Sequence, residues 1–309
     1  MWKTGSISVH GIAHIDAAQI NQDLVLVESM GDAHVIIVCD GAGSAPHSKL
    51  GAEIVCGEVF QAILNNPKAV IESPAKHQED MLKSVKTGID LARQKIIQGK
   101  AVPRTSLELF FESFVGVFSK HLPKKIEVPP PPLNHFAATV LIAVFTEDQL
   151  FYSHIGDGFI CGLKITNNQE EITWFQNENG PEPAQQSYSN AETLSEWNIE
   201  QTVTSLPENG EYANQTYFFT DENWRDHLRA GACVEKINFL ALMTDGAIPF
   251  LIEKNQKDFV LKHAEKIIKL SVSYPDMGLS ELLTKMFTKE KVHSLTSDDT
   301  TIGLAVQWP

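Results

Sequence analysis

The chain has 309 residues, of which 43% are apolar, and a formal net charge of −14. This length is enough for one large domain or two small ones, and the apolar share is enough for a substantial core. The acidic balance disfavours nucleic acid as a partner, because its phosphates would be repelled, and no apolar run has the length of a transmembrane helix.

The four cysteines form no C-x-x-C pair, and each lies in an apolar setting. The first residues lack the apolar run of a signal peptide. We therefore expect reduced core cysteines in a cytoplasmic protein that has neither a membrane nor a nucleic acid as its partner.

Hydrophobic periodicity predicts strands and amphipathic helices along the whole chain. The predicted strands cover residues 6–10, 24–27, 33–39, 137–145, 149–155, 159–163, 171–175, 217–220, 237–244 and 301–308. The predicted helices cover residues 51–64, 78–97, 106–121, 222–228, 247–252, 257–270 and 279–288. His14 falls in a predicted polar turn after the first strand.

Two irregular stretches interrupt these elements. Residues 122–134 contain four consecutive prolines, which predict a stiff extended loop, and strands resume directly after it. Residues 176–212 are rich in Asn, Gln, Ser and Glu, which predicts a second long loop. We expect one domain over residues 1–309.

The clearest motif begins with the apolar run 35–39, which is followed by Asp40, Gly41, Ala42 and Gly43. The run predicts a buried strand that ends at a carboxylate, and the glycines predict a tight turn. A carboxylate beside an accessible backbone carbonyl suits a hard cation. An ordinary turn that carries an aspartate is the alternative interpretation of this motif taken alone.

Asp23 opens the predicted strand 24–27, and Asp40 closes the predicted strand 33–39. A short Gly31-Asp32 connection predicts that these two strands form a hairpin. Because the start of one antiparallel strand lies beside the end of its partner, we expect Asp23 and Asp40 at the same edge of a sheet.

Three further acids lie beside predicted strands. Asp157 lies between two strands and is flanked by glycines, Asp245 ends a strand, and Asp298 precedes one. Two carboxylates about 4 Å apart repel by roughly 4 kcal/mol at an effective dielectric near 20, so a cluster needs protons or cations. Clustered carboxylates favour Mg²⁺ or Mn²⁺, and no Cys/His spacing offers a zinc site.

The order of these motifs resembles the metal-dependent PP2C-like serine/threonine protein phosphatases over nearly the whole chain. The motifs are Asn21-Gln22-Asp23, Asp40-Gly41-Ala42-Gly43, Gly156-Asp157, Asp245-Gly246 and Asp298-Asp299-Thr300-Thr301. Two further segments resemble the bacterial PphC-type branch, namely Gly210-Glu211-Tyr212-Ala213-Asn214 and Phe219-Thr220-Asp221-Glu222.

The resemblance implies an α+β fold, a four-layer αββα sandwich in which two central antiparallel β-sheets are flanked by helices. It also implies two Mn²⁺ or Mg²⁺ ions, and a third, weaker one. By motif, Asp40 resembles the carboxylate that bridges both ions, and Gly41 resembles the carbonyl ligand of the second. Asp245 and Asp298 resemble the other ligands of the first ion.

Asp157 resembles a ligand of the third ion, and Asp23 resembles the acid that holds metal-bound water. The implied reaction is hydrolysis of protein phosphoserine or phosphothreonine by a hydroxide that bridges the two ions, without a covalent phosphoenzyme. Asp40 and Asp23 are therefore the expected catalytic residues. The implied partners are a phosphoprotein substrate and a Ser/Thr kinase that acts on the same target.

The chain departs from the family pattern at three positions. Many members have Glu where this chain has Gln22, so a direct carboxylate ligand of the second ion is lost. Many members also place a phosphate-clamping Arg at the position of Ala18. Eukaryotic members have His at the position of Ala42, so the proton donor to the leaving group is unassigned, with His47 as a candidate.

His14 and the 176–212 loop are the candidates for a replacement phosphate clamp. Two alternatives to the phosphatase stay open. The first, favoured by Ala18 and Gln22, is a catalytically weak pseudophosphatase that binds phosphoproteins as a regulator. The second is a small-molecule phosphoesterase.

Overall fold

The first and last strands of the chain pair with each other. In a computed structural model of the protein, β1 (Trp2–Val9) runs antiparallel to β12 (Thr300–Gln307). The pairing brings the two ends of the chain into one sheet. The structure describes residues 2–64, 70, 74–97, 131–167, 197–208, 216–233, 236–254, 259–261 and 264–307.

The other strands of the described residues lie between these two in sequence. They are β2 (Leu24–Met30), β3 (Ala33–Cys39), β4 (Val140–Phe145), β5 (Leu150–Ile155), β6 (Phe159–Asn167), β7 (Trp197–Ser205), β8 (Arg229–Cys233), β9 (Phe239–Met243), β10 (Ile252–Lys254) and β11 (Phe259–Leu261). The helices of the described residues are α1 (Ile12–Asp16), α2 (Ser48–Leu64), α3 (Pro74–Ile97), α4 (Ile248–Leu251), α5 (Ala264–Ser273), α6 (Leu279–Met286) and α7 (Lys289–Leu295).

Two five-stranded antiparallel sheets form the centre of the described structure. One has the strand order β1-β12-β9-β6-β7 and the other β2-β3-β4-β5-β8, while β10 and β11 form a separate hairpin. Helices α2 and α3 cover the outer face of the second sheet, and α5 to α7 cover that of the first. The predicted α+β arrangement of two antiparallel sheets with flanking helices is confirmed.

Strand β3 shows why its sequence is a continuous apolar run. Ile36 and Val38 pack in the layer between the two sheets, whereas Val35 and Ile37 pack in the layer under α2 and α3. A strand that is buried on both faces has no polar side, so alternation disappears from its sequence. The described part of the chain contains no helix that is both long and apolar enough to cross a bilayer.

The predicted loop over residues 176–212 is wrong for Trp197–Ser205, which form β7. This strand lies at the edge of its sheet and pairs with β6 among the described residues, so polar residues are tolerated along it. Residues 176–196 and 209–212 lie outside the described residues. So do residues 122–130 of the proline-rich loop, whose end leads into a 3₁₀ turn at Leu133–Phe136.

Four other predictions need correction. The predicted turn that holds His14 is helix α1, and the predicted strand 217–220 is a turn in which Asp221 Oδ2 accepts a hydrogen bond from Phe218 N at 2.8 Å. The predicted helix 222–228 is only a 3₁₀ turn followed by β8. The predicted helix 257–270 contains β11 before α5 begins. The predictions for residues 106–121 and 171–175 lie outside the described residues.

Candidate metal centre

The predicted site acids lie at one end of the β-sandwich. Leu24 pairs with Cys39 in the β2–β3 hairpin, so Asp23 and Asp40 are neighbours where β2 starts and β3 ends. Gly41 continues this edge through an isolated antiparallel bridge to Ala138. The predicted neighbourhood of Asp23 and Asp40 is confirmed by this register.

Asp245 and Asp298 approach each other where β9 ends and β12 begins. The Thr244 amide donates to the Thr301 carbonyl at 3.0 Å, and the Thr301 amide donates to the Thr244 hydroxyl at 3.1 Å. A Cβ at Gly246 would overlap the Asp299 carbonyl oxygen. A glycine at this position therefore lets the two acidic segments pack directly against each other.

Asp157 reaches the same edge from the turn between β5 and β6. Gly156 has a φ of +116°, which favours glycine, and a Cβ there would overlap the Thr139 side chain. Thr139 also holds Asp40: its amide donates to the Asp40 carbonyl at 2.8 Å, and its hydroxyl accepts from the Asp40 amide at 3.1 Å. Thr139 thus ties the Asp157 turn to Asp40.

The five acids influence one another electrostatically. Burial raises the pKa of Asp40 well above its ordinary value, and repulsion from the other four carboxylates adds to the rise. The four are Asp23, Asp245, Asp157 and Asp298. Within the described residues, however, no three of the five bring oxygens within 4.8 Å of one another. They surround the edge without forming a compact ligand set.

Burial raises the pKa of Asp23 to about 7 and that of Asp157 to about 7. Burial and repulsion from Asp298 also raise the pKa of Asp245, and a hydrogen bond with Asp40 opposes the rise. Each pKa unit corresponds to about 1.4 kcal/mol, so ionising this group of acids together is expensive. Bound cations would offset the free-energy cost of ionising these acids together.

The donor set fits hard divalent cations. In the described part of the chain, no lysine or arginine forms an ion pair with any of the five carboxylates. The Thr244 hydroxyl donates to Asp23 Oδ2 at 3.0 Å, but Asp23 Oδ1 is buried with no hydrogen-bond partner there. A buried carboxylate oxygen without a partner, among other carboxylates, is the ligand type that Mg²⁺ and Mn²⁺ prefer.

Residues 10–286 match the family model described as Protein phosphatase 2C. The chain belongs to this family. The resemblance found in its motifs is thereby confirmed, and PP2C members in general depend on metal ions.

Several solved bacterial phosphatases share the PP2C fold with this chain. Serine/threonine phosphatase Stp1 from Staphylococcus aureus is 13% identical at a TM-score of 0.52, covering 100% of this chain and 96% of that one. PppA, a regulatory component of the type VI secretion system in Pseudomonas aeruginosa, is 9% identical at 0.53, covering 99% and 98%. The S. agalactiae serine/threonine phosphatase is 11% identical at 0.52, covering 100% of both. A search of curated protein sequences finds no match.

The most buried acid beside the site is one that sequence reasoning did not single out. Asp299 is only 2% exposed, and its Oδ1 and Oδ2 accept hydrogen bonds from the amides of Gly11 and Gln22, each at 2.7 Å. The neighbouring Asp298 side chain is 51% exposed. The signal was present in the Asp298-Asp299 pair, because successive residues at a strand start point to opposite sides.

The structure shows the backbone conformation, burial and neighbours of the residues at which the chain departs from the PP2C pattern. Ala18, at the position of the family arginine, has a φ of +54°, and Gln22 is buried with Oε1 unpartnered among the described residues. His47 packs on His135 and Phe136, with ring centroids 6.2 and 5.2 Å away. Burial lowers the pKa of His47, and proximity to His135 adds to the effect.

Proposed function

We propose that this chain is a metal-dependent protein phosphatase that hydrolyses phosphoserine and phosphothreonine. The observation that carries the proposal is the gathering of five acids from separate parts of a PP2C-family chain at one edge of the sandwich. Their burial and mutual repulsion raise the pKa of four of them, and no described lysine or arginine pairs with them. Membership of the family supports a phosphatase at the coarser level.

The proposed ligands follow the family motifs residue by residue. Asp40 would hold two Mn²⁺ or Mg²⁺ ions, with Asp245 and Asp298 completing the first and the Gly41 carbonyl the second. Asp157 would hold a third, weaker ion. When bound, such ions supply Lewis-acid stabilisation of phosphoryl oxygens and a more acidic water.

The chain's own residues orient these groups. Thr139 fixes the backbone of Asp40 through two hydrogen bonds, and Thr244 fixes one oxygen of Asp23. The other oxygen of Asp23, Oδ1, has no hydrogen-bond partner among the described residues, so it would accept a hydrogen bond from the attacking water and orient it toward phosphorus. We therefore assign Asp40 and Asp23 the catalytic roles.

The remaining assignments belong to the same proposal. The substrate would be a phosphoprotein, and the partner enzyme a Ser/Thr kinase that acts on the same target. The pairing of β1 with β12 supports a single domain over residues 1–309. A cytoplasmic location stays a prediction.

The decisive test is hydrolysis of p-nitrophenyl phosphate and of a phosphothreonine peptide with Mn²⁺, with and without a chelator. We expect Asp40→Asn to lower kcat/KM by about a thousandfold, since losing metal-assisted stabilisation costs about 4 kcal/mol. Asp148→Asn is the matched control, because Asp148 is exposed in the β4–β5 turn at the opposite end of the sheet. It should leave the rate unchanged.

The alternatives give different results in the same assay. Binding of the phosphopeptide without turnover at saturating Mn²⁺ would indicate the pseudophosphatase, which the alanine at position 18 favours. Faster hydrolysis of sugar or nucleotide phosphates than of phosphopeptides would indicate the small-molecule phosphoesterase. Chelator-resistant hydrolysis would contradict the metal-dependent mechanism.

A further inference from the structure

Three metal-ligating side chains converge beside the acidic edge, outside the proposed ligand set. His10 follows β1, His14 lies on α1, and Asp299 directly precedes β12. One ligand atom of each residue lies within 4.8 Å of the ligand atoms of the other two. The group therefore joins the start of the chain to its last strand.

One imidazole nitrogen of each histidine is buried and has no hydrogen bond to the described residues. His10 Nε2 and His14 Nδ1 have no hydrogen-bond partner among the residues that the structure describes. His14 Nδ1 lies 2.9 Å from Asp299 Oδ2, yet the two atoms are not oriented as a hydrogen bond. Buried polar atoms normally have hydrogen bonds, so two buried nitrogens without one beside a single carboxylate need an explanation.

A shared metal ion would satisfy all three groups. Two ligand atoms that are each about 2.1 Å from one metal ion lie about 3 Å apart at a right angle and about 3.4 Å apart at a tetrahedral angle. His14 Nδ1 and Asp299 Oδ2 are 2.9 Å apart, close to this range. The Asp299 carboxylate is fixed in position, because the Gly11 and Gln22 amides each donate a hydrogen bond to it at 2.7 Å. Such outer hydrogen bonds orient a ligating carboxylate.

We propose that His10, His14 and Asp299 form a second metal site, which binds a divalent transition-metal ion such as Zn²⁺. Imidazole ligands favour Zn²⁺ over Mg²⁺, whereas the five acids offer only oxygen. The two sites are neighbours, since His14 Nε2 lies 4.0 Å from Asp298 Oδ1. Zn²⁺ would thus link β1, α1 and β12 beside the proposed phosphatase centre.

The first test measures Zn²⁺ binding to the full chain in excess Mg²⁺, by competition with a chromogenic chelator. We expect one Zn²⁺ per chain, and at least about tenfold weaker binding in His10→Ala and in His14→Ala. The Asp40→Asn variant should keep the site, so the result does not depend on the proposed phosphatase activity. His47→Ala is the matched control, because His47 and His135 are a second histidine pair.

Loss of binding in His47→Ala, with binding retained in the other two histidine variants, would overturn the proposal. So would the absence of Zn²⁺ binding in excess Mg²⁺, which would leave His14 and Asp299 as an ordinary ion pair. His10→Gln serves if His10→Ala lacks the far-ultraviolet circular dichroism of the folded chain.

The second test detects the coordinating nitrogen atoms directly, without a measurement of affinity. Cu²⁺ is added to the Mg²⁺-saturated protein, and pulsed electron paramagnetic resonance detects ¹⁴N couplings from coordinated imidazole. We expect these couplings in the wild type and in Asp40→Asn, and their loss in the double variant His10→Ala/His14→Ala. Couplings that persist in the double variant, or a spectrum with oxygen ligands alone in the wild type, would overturn the proposal.

Discussion

The two ends of the β-sandwich differ in the burial of their acidic residues and in the partners that these residues have. At the β4–β5 turn, Glu147 is exposed, lies 3.8 Å from Lys236 Nζ and accepts a hydrogen bond from Gln307 at 3.0 Å. At the other end, Asp23 is only 3% exposed, and its Oδ1 has no hydrogen-bond partner among the described residues. One end is ordinary protein surface, and the other keeps carboxylates in a state that lowers stability.

This difference separates structural acids from functional ones. A surface ion pair such as Glu147–Lys236 contributes about 0–1 kcal/mol and needs no further explanation. Buried acids that repel one another lower stability, and such strained arrangements cluster at functional sites. The proposed metal centre explains why this loss of stability is tolerated, because bound cations replace repulsion between the carboxylates with attraction to the metal.

The largest expected effect is on the pH dependence of stability without metal. Asp23 and Asp157 have pKa values raised from 3.8 to about 7 in the folded protein, so the folded state binds more protons than the unfolded state between these values. The stability that these two groups contribute is therefore fully present below the unfolded pKa and is lost as the pH rises through the folded pKa. With a chelator present, we expect the free energy of unfolding to fall by a few kcal/mol between about pH 5 and about pH 8.

Urea unfolding at a series of pH values measures the slope of the free energy of unfolding against pH. Added Mn²⁺ should reverse its sign, because the ion binds deprotonated carboxylates. The Asp148→Asn variant should keep the wild-type slope. A chelated protein that is equally stable at both pH values would contradict the burial of ionisable acids at this edge.

One substitution at each end of the sandwich should change the free energy of unfolding of the chelated protein in opposite directions. Asp23→Asn keeps the side-chain size and removes a carboxylate that burial destabilises, so we expect the chelated protein at about pH 8 to gain up to about 4 kcal/mol. The same variant should lose phosphatase activity. Glu147→Gln removes only a surface ion pair and should cost about 0–1 kcal/mol without affecting activity.

Differential scanning calorimetry with a chelator compares the two variants directly. A lower melting temperature for Asp23→Asn than for the wild type would mean that the carboxylate is needed for folding rather than for binding. That outcome would remove the distinction between the two ends.

The parts of the fold that sequence predicted best are those buried on both faces. The apolar runs of β3 and β9 predicted where these strands end, and hence the positions of Asp40 and Asp245, because a short apolar run that ends at an Asp-Gly turn is typical of a buried strand. The edge strands β7 and β8 were missed. They are polar or rich in small residues, and an edge strand needs no apolar run on both faces.

The candidate site was predicted less completely than the sheets. Motif order gave the five acids, but it did not indicate that His10, His14 and Asp299 meet, because they are brought together by the long-range pairing of β1 with β12. Sequence spacing carries no record of such a contact. Nor did spacing distinguish the buried Asp299 from the exposed Asp298.

A smaller effect than that of Asp23→Asn is expected from a substitution that tests how tightly the acidic end is packed. A Cβ at Gly246 would overlap the Asp299 carbonyl oxygen, so Gly246→Ala should cost about 1–3 kcal/mol of stability and also lower phosphatase activity by separating Asp245 from Asp298. Gly278→Ala is the matched control, because nothing lies within 4 Å of a Cβ there. At this helix N-cap it should cost less than about 1 kcal/mol and leave activity unchanged. Equal losses of activity in both variants would show that close packing of the two acidic segments does not set the geometry of the site, since only Gly246 lies between them.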